Sequence, residues 1–486
     1  MRVFLIMVVL LAPLAGAAAA AERVALVIGI AAYQTIPPLK NTVNDAAAIA
    51  RTLRGIGFDV TTMLDTSEAD LRAALADFAF EAETADLALI YFAGHGVEVQ
   101  GENFLIPADA EIRSNRDIQG QALSLGDLLR AVDRARQMRI VILDSCRDNP
   151  FGDRIEMRAE APRRGGLAPP SPDRGTLVAF AARDGQVALD GDGQNSPFAL
   201  ALVDRLAQPG LEISLMFRQV RDLVLERTGN RQEPHTYGSL SGQPFYLAGP
   251  AEAEPDVATD DRRIAWSRLR PEQEEQLAAL AEEGDTRSIL GLAYMRLNPA
   301  EARFDPAQAA KLLRRAAEAG SPEAQFELAK LYEKGLGVAP DPDRALALYR
   351  QAADQDFADA LNDLAFMHYQ GGLGLPRDPK AAIGFFQRAA EQRHPQAMFN
   401  FAALIDDGLV PGKGPDDAAG YLYAALRSGS EDVLTLLTDR PAMFAEPTRR
   451  ALQGLLREHD FYAGAIDGAF GPSTQRGLRQ AYGLAE

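Results

Sequence analysis

A chain of 486 residues implies about three domains at roughly 150 residues each, which excludes a single small fold. With 47% apolar and 24% charged residues, neither wholesale disorder nor a polytopic membrane protein fits. The 50 basic residues face 68 acidic ones for a net charge of -18, a field that repels phosphate backbones and anionic lipid and argues against nucleic acid as a partner.

Residues 1–21 read as a secretory leader. Arg2 supplies a positive end, the apolar run from Val3 to Leu14 is too short to span a bilayer, and Ala19 and Ala21 form a small-residue cleavage site. Cleavage near Ala21 gives an exported protein of the bacterial periplasm or cell envelope, with no membrane span afterwards; a retained anchor is the alternative. Cys146 is the sole cysteine, so no internal disulfide is available and the fold rests on its cores. It stands in a polar cluster, Leu143 to Asn149, at the end of an apolar strand, a setting that favours reactivity over simple burial.

From residue 22 to 248 short β-branched runs alternate with helical stretches, the sign of a doubly wound α/β sheet. Strands are expected at Val24–Ile30, Phe58–Leu64, Leu87–Ala93, Arg139–Leu143, Leu177–Ala181 and Phe245–Leu247. Helices are expected near Asn44–Gly55, Glu68–Ala82, Ser124–Ala135, Ser196–Leu206 and Ile213–Arg227. The first strand leads into Gly29-Ile30-Ala31-Ala32-Tyr33, without the G-x-G-x-x-G of a dinucleotide site. A Pro-, Gly- and Arg-rich break runs from Pro150 to Gly175, long enough to be functional or disordered.

An acidic linker and first helix fill residues 249–284, and an all-α solenoid is expected over 285–429. Ala293, Ala329, Ala365 and Ala402 recur at steps of 36, 36 and 37, a period that stacked helix pairs produce. These four units resemble Sel-type repeats, relatives of the tetratricopeptide repeat, which implies a protein-binding surface. Residues 430–486 form a small helical module: Gly464, Ile466-Asp467-Gly468, Phe470-Gly471 and Thr474 resemble the three-helix peptidoglycan-binding module, which implies peptidoglycan as a possible partner. A structural cap on the solenoid is the other reading.

The chemistry concentrates on two residues. His95 lies in Gly94-His95-Gly96 at the carboxyl end of the third strand and Cys146 just past the fourth. In an open α/β sheet the crevice at the carboxyl ends of the strands is where ligands bind. A thiol is mostly protonated at neutral pH, and a nearby imidazole can activate it. The backbone amides of Gly96 and Cys146 are candidates to stabilise a developing oxyanion. His235, after Pro234 in an apparent loop, is the sole rival histidine of the α/β region.

The order strand, Gly-His-Gly, strand, Asp-x-Cys, with 51 residues from His95 to Cys146, resembles caspase-like cysteine peptidases. Asp144-Ser145-Cys146-Arg147 is closer to metacaspases and their bacterial relatives than to caspases. The resemblance spans about residues 23–247 and implies a caspase-like sheet, Cys146 as nucleophile and His95 as proton shuttle. It also implies Asp45 and Asp144 as walls of a primary specificity pocket, which favours cleavage of a polypeptide after Arg or Lys. The bland readings are a helix N-terminal residue for Asp45 and a turn cap for Asp144. Arg154, Arg158, Arg163, Arg164 and Arg174 make self-cleavage in the break an expectation. No cofactor or metal is required; calcium, which some metacaspases need, is weakly suggested by Asp190 and Asp192 but lacks EF-hand spacing, since Ala201 holds the twelfth position. The alternative to a peptidase is a catalytically silent scaffold acting through its repeats, with association with the cell wall as a further reading.

Overall fold

The computed structural model describes residues 23–146, 175–183, 186, 188–238, 240, 244–249, 266, 269 and 271–484, with backbone alone at Cys146 and Pro271. The expected leader, most of the Arg-rich break with its candidate cleavage sites, and most of the acidic linker lie outside the described residues.

The first domain runs β1 (Arg23–Gly29), α1 (Thr42–Gly55), β2 (Asp59–Leu64), α2 (Glu68–Ala82), β3 (Leu87–Val99), β4 (Glu102–Leu105), α3 (Asn115–Gln121), β5 (Leu123–Ser124), α4 (Leu125–Val132), β6 (Met138–Cys146), β7 (Thr176–Phe180), α5 (Pro197–Leu206), α6 (Ile213–Thr228) and β8 (His235–Gly238). The strand order is β2-β1-β3-β6-β7-β8, with β4 paired to β3 and β5 to β4. Every neighbour pair from β2 to β7 is parallel, and β8 closes the edge antiparallel to β7. This is the expected doubly wound α/β sheet. Ser67, Ser114, Ser124 and Ser196 cap helices α2 to α5 by accepting an amide of the first turn, which fixes where each begins.

Two apolar layers cover the sheet, and strand parity assigns residues to them. Leu89, Tyr91, Ala93, Ile140 and Ile142 face a layer built with α1, α5 and α6, whereas Ala88, Ile90, Phe92, Val141 and Leu143 face one built with α2 and α4. Both faces being buried explains why the runs are continuously apolar.

Two expectations are corrected. Phe245–Leu247 is not a strand: Tyr246 makes only an isolated bridge to Glu212, and the last strand is the four-residue His235–Gly238, an exposed polar edge whose sequence carries no apolar signal. His235 is therefore on a strand rather than in a loop. The third strand also does not stop at Ala93; it continues to Val99 because its outer half turns into a hairpin with β4.

The second half begins with α7 (Pro271–Glu282) and then stacks four helix pairs: α8 (Thr286–Leu297) with α9 (Pro306–Glu318), α10 (Pro322–Lys334) with α11 (Pro342–Asp354), α12 (Ala358–Gln370) with α13 (Pro379–Glu391), and α14 (Pro395–Asp406) with α15 (Pro415–Arg427). Ala293, Ala329, Ala365 and Ala402 are fully buried where the helices meet, and Asp305, Asp341 and Asp378 each cap a helix whose next residue is proline. Gly337 lies in a left-handed turn where a Cβ would sit 2.2 Å from the Pro306 carbonyl oxygen. The chain ends with α16 (Glu431–Asp439), a 3-10 turn (Pro441–Met443), α17 (Glu446–Glu458) and α18 (Pro472–Tyr482). Gln453 closes the Asp467-Gly468 turn, donating to the Ala469 carbonyl and accepting from the Gly468 amide. One apolar core runs from Trp266 through the repeats to Leu478 and Ala481, so the terminal helices continue the solenoid core.

The solenoid touches the sheet domain through residues at its helix ends and connecting loops. Asp285 pairs with Arg218, Arg287 with the fully buried Glu212, Arg393 with Asp133 and Arg427 with Glu83. Arg136 donates to the main-chain carbonyls of Arg427 and Tyr482. Glu83 stands just before β3, Asp133 and Arg136 just before β6, so this seam follows the amino ends of the parallel strands.

Candidate active site

Parity and register bring the predicted residues together at the opposite, carboxyl end. β3 and β6 pair Tyr91 with Ile142, Ala93 with Asp144 and His95 with Cys146. Neighbouring strands lie about 4.8 Å apart and alternate residues share a face, so positions 95 and 146 adjoin on the α1/α5/α6 side, above Asp144. Gly96 pairs with Leu105 on β4. The Ile106 amide donates to the His95 carbonyl, so the Gly96 pair is the kind whose amides turn away from the partner strand.

His95 is 7% exposed. Its main-chain amide donates to the Tyr33 hydroxyl at 2.7 Å, and its Nε2 lies 3.0 Å from the Pro37 carbonyl oxygen. A carbonyl only accepts, so this contact places a proton on Nε2. Nδ1 is buried with no hydrogen-bond partner among the described residues. Burial holds the imidazole below its ordinary pKa, opposed by the Pro37 contact and the charge of Asp190. A neutral ring with a vacant Nδ1 is able to accept a proton.

Asp45 and Asp144 converge in the same crevice, and neither is a cap. Asp45, in the first turn of α1 but 1% exposed, accepts from Asn195 Nδ2 at 2.8 Å and the Ser196 amide at 2.9 Å. Asp144, inside β6, accepts from the Tyr91 hydroxyl at 3.0 Å and the Ser196 hydroxyl at 2.7 Å. Ser196 thus bridges the two carboxyl groups. Burial, reinforced by the charge of Asp144, pushes the Asp45 carboxyl up to about 7. Burial raises Asp144 to about 6 against the pull of its two hydroxyl donors. Among the described residues neither makes an ion pair with lysine or arginine.

These groups line a narrow cleft of about 10 Å³ with Leu39, Thr42, Gly94, Ala188, Leu189 and Asp190, room for about one water molecule. Asp190 is a third acid on its rim, accepting from the Lys40 amide at 3.1 Å. Sequence reading had weighed it only as a calcium ligand. Tyr33, Pro37, Tyr91, Asn195 and Ser196 carry no sequence signal as site members; a serine that joins two carboxyl groups through its amide and its hydroxyl leaves no periodic trace. His235 stands on β8, two strands beyond β6.

Comparison with known proteins identifies two families along the chain. Residues 22–246 match the Caspase domain family, and residues 287–321, 322–357 and 358–394 each match the Sel1 repeat. A stretch of 138 residues is 31% identical to human mucosa-associated lymphoid tissue lymphoma translocation protein 1 and 30% identical to its mouse homolog, covering 28% of this chain and 16% of each relative. The chain thus spans a small fraction of the curated relatives it matches. Among solved structures, a Sel1 repeat protein from Oxalobacter formigenes is 21% identical with a TM-score of 0.33, over 44% of this chain and 55% of that one. A protective antigen of uropathogenic Escherichia coli displaying an SLR fold is 23% identical with a TM-score of 0.31, over 42% of each chain.

Proposed function

We propose that this chain, a caspase domain followed by Sel1 repeats, is an exported cysteine endopeptidase that cleaves after Arg or Lys. The observation that carries the reading is the register that sets His95 beside Cys146 above two buried carboxyl groups that meet no cation among the described residues. His95 Nδ1 takes the thiol proton, the thiolate attacks the scissile carbonyl, and the amides of Gly96 and Cys146 stabilise the oxyanion. The imidazolium then protonates the leaving amine, and water hydrolyses the thioester with His95 as base. Asp45, Asp144 and Asp190 receive the guanidinium or ammonium of the residue before the bond; an Asp there would meet like charge. Entry of so large a side chain requires the Ala188–Asp190 segment to give way, because the cleft is narrow. The repeats supply a protein-interaction surface, and the terminal helices cap it.

The test is release of a fluorophore from Arg-, Lys- and Asp-ending peptides by wild type and Cys146→Ala, with and without calcium. Cys146-dependent turnover, with Arg or Lys preferred over Asp on the order of 100-fold or more, is expected. Turnover of none of the peptides under either condition leaves the silent scaffold as the better reading.

A further inference from the structure

The segment between β1 and α1 reaches His95 twice, through a side chain and through a main-chain carbonyl, and the second contact alone does not fix the ring. Tyr33 packs against the imidazole with ring centroids 4.7 Å apart at 53°, while its hydroxyl accepts the His95 amide at 2.7 Å. Gly94 makes room for this: a Cβ there would sit 2.7 Å from the Tyr33 hydroxyl. The segment is itself anchored. Asp65, in a left-handed turn at φ +47°, accepts the amides of Ala31 and Ala32 at 2.6 and 2.8 Å, and Gln34 and Thr35 bind the carbonyls of Ala108 and Ala110.

We infer that Tyr33 is the positioning residue for His95, clamping the imidazole between its ring and the Pro37 carbonyl so that Nδ1 is presented toward the neighbouring strand. The inference rests on the peptidase reading of His95. A carbonyl contact at Nε2 permits the ring to swing about that bond; an aromatic face on one side removes the freedom, and near-attack alignment depends on it. Tyr33 touches no reacting atom in this account. Its loss acts through His95.

The experiment compares Tyr33→Ala, Tyr33→Phe and Gly94→Ala in the full chain, reading kcat and KM on an Arg-ending peptide, the pH–rate profile, and the titration of His95 by NMR of histidine-labelled protein, assigned with His95→Gln. Tyr33→Ala is expected to lower kcat roughly 10- to 100-fold with KM changed less than about 3-fold. Losing its aromatic cover also lets the burial-lowered imidazole titrate at higher pH, moving the acid limb of the profile upward. The other charged group reaching His95 is Asp190, which all three variants retain. Tyr33→Phe keeps the ring and therefore the wild-type pH profile. Gly94→Ala, which leaves Tyr33 in place but pushes on its hydroxyl, is expected to reproduce the kcat loss if Tyr33→Ala does not fold. A folded Tyr33→Ala with wild-type kcat and unshifted His95 titration overturns the inference. If wild type itself shows no Cys146-dependent turnover, the peptidase reading fails separately, and the NMR titration still decides whether Tyr33 holds the ring.

Discussion

Asp45 and Asp144 are buried acids that make no ion pair with lysine or arginine among the described residues, which imposes a cost on their ionised forms. Both carboxyl groups titrate above the ordinary value near 3.8, at about 7 and about 6, so between pH 4 and 7 the folded chain holds protons that the unfolded chain has released. Stability contributed by these groups therefore falls as pH rises through that window. Asp144→Asn and Asp45→Asn are expected to raise the melting temperature at pH 7.5, because the ionised form is no longer forced into the cleft, while kcat/KM for Arg-ending peptides falls on the order of 100-fold. For wild type, KM on those peptides is expected to rise as pH drops below about 7 and the pocket loses charge; a flat KM between pH 5.5 and 8 would count against an ionised pocket. The two acids were legible only through the family resemblance of the motifs in which they stand. Ser196, which bridges them, and Tyr33, which holds His95, were not, since each acts through a contact between segments distant along the chain.

At the scale of elements, the parity of β3 and β6 is what makes the crevice. Once Leu89, Tyr91, Ile140 and Ile142 are committed to one apolar layer, strand alternation carries positions 95, 144 and 146, which lie past the expected strand ends at Ala93 and Leu143, to the same side; the apolar runs of the two strands could be read from the sequence. Edge features could not. The β3–β4 hairpin, the two-residue β5 and the strand His235–Gly238 carry little apolar pattern, and Phe245–Leu247 shows the converse: an apolar triplet that packs beside α6 without joining a ladder. In the repeats the 36-residue spacing announced the helix pairs, but the turn glycines needed coordinates. Gly337→Ala is expected to destabilise the repeats by about 2 kcal/mol or more, since the new Cβ meets main chain rather than a movable side chain in a left-handed turn. Urea unfolding of the full chain measures it.

For the whole molecule, the docking of the solenoid on the amino ends of the strands was not legible at all, because the ion pairs that make it join residues from 67 to 344 positions apart. Arg427 and Glu83 are 5% and 7% exposed, and Arg427 also lies over the rings of Phe80 and Phe461. Glu83→Ala removes the carboxylate from that guanidinium, leaving it the carbonyls of Phe80 and Ala481, and is expected to cost about 3 kcal/mol in urea unfolding, with faster proteolytic separation of the two halves. Turnover of Arg-ending peptides stays within about 3-fold of wild type, as the seam is on the far edge from His95.

The bond from Arg136 to the Tyr482 carbonyl spans 346 residues, and this sets an order of events during synthesis. Translation delivers the sheet domain first, and for as long as the ribosome is still adding repeats, Glu83 stands without the Arg427 guanidinium that pairs with it in the finished fold. A nascent or truncated chain that lacks α15 therefore presents this seam open to chaperones and degradative proteases until the solenoid docks on it.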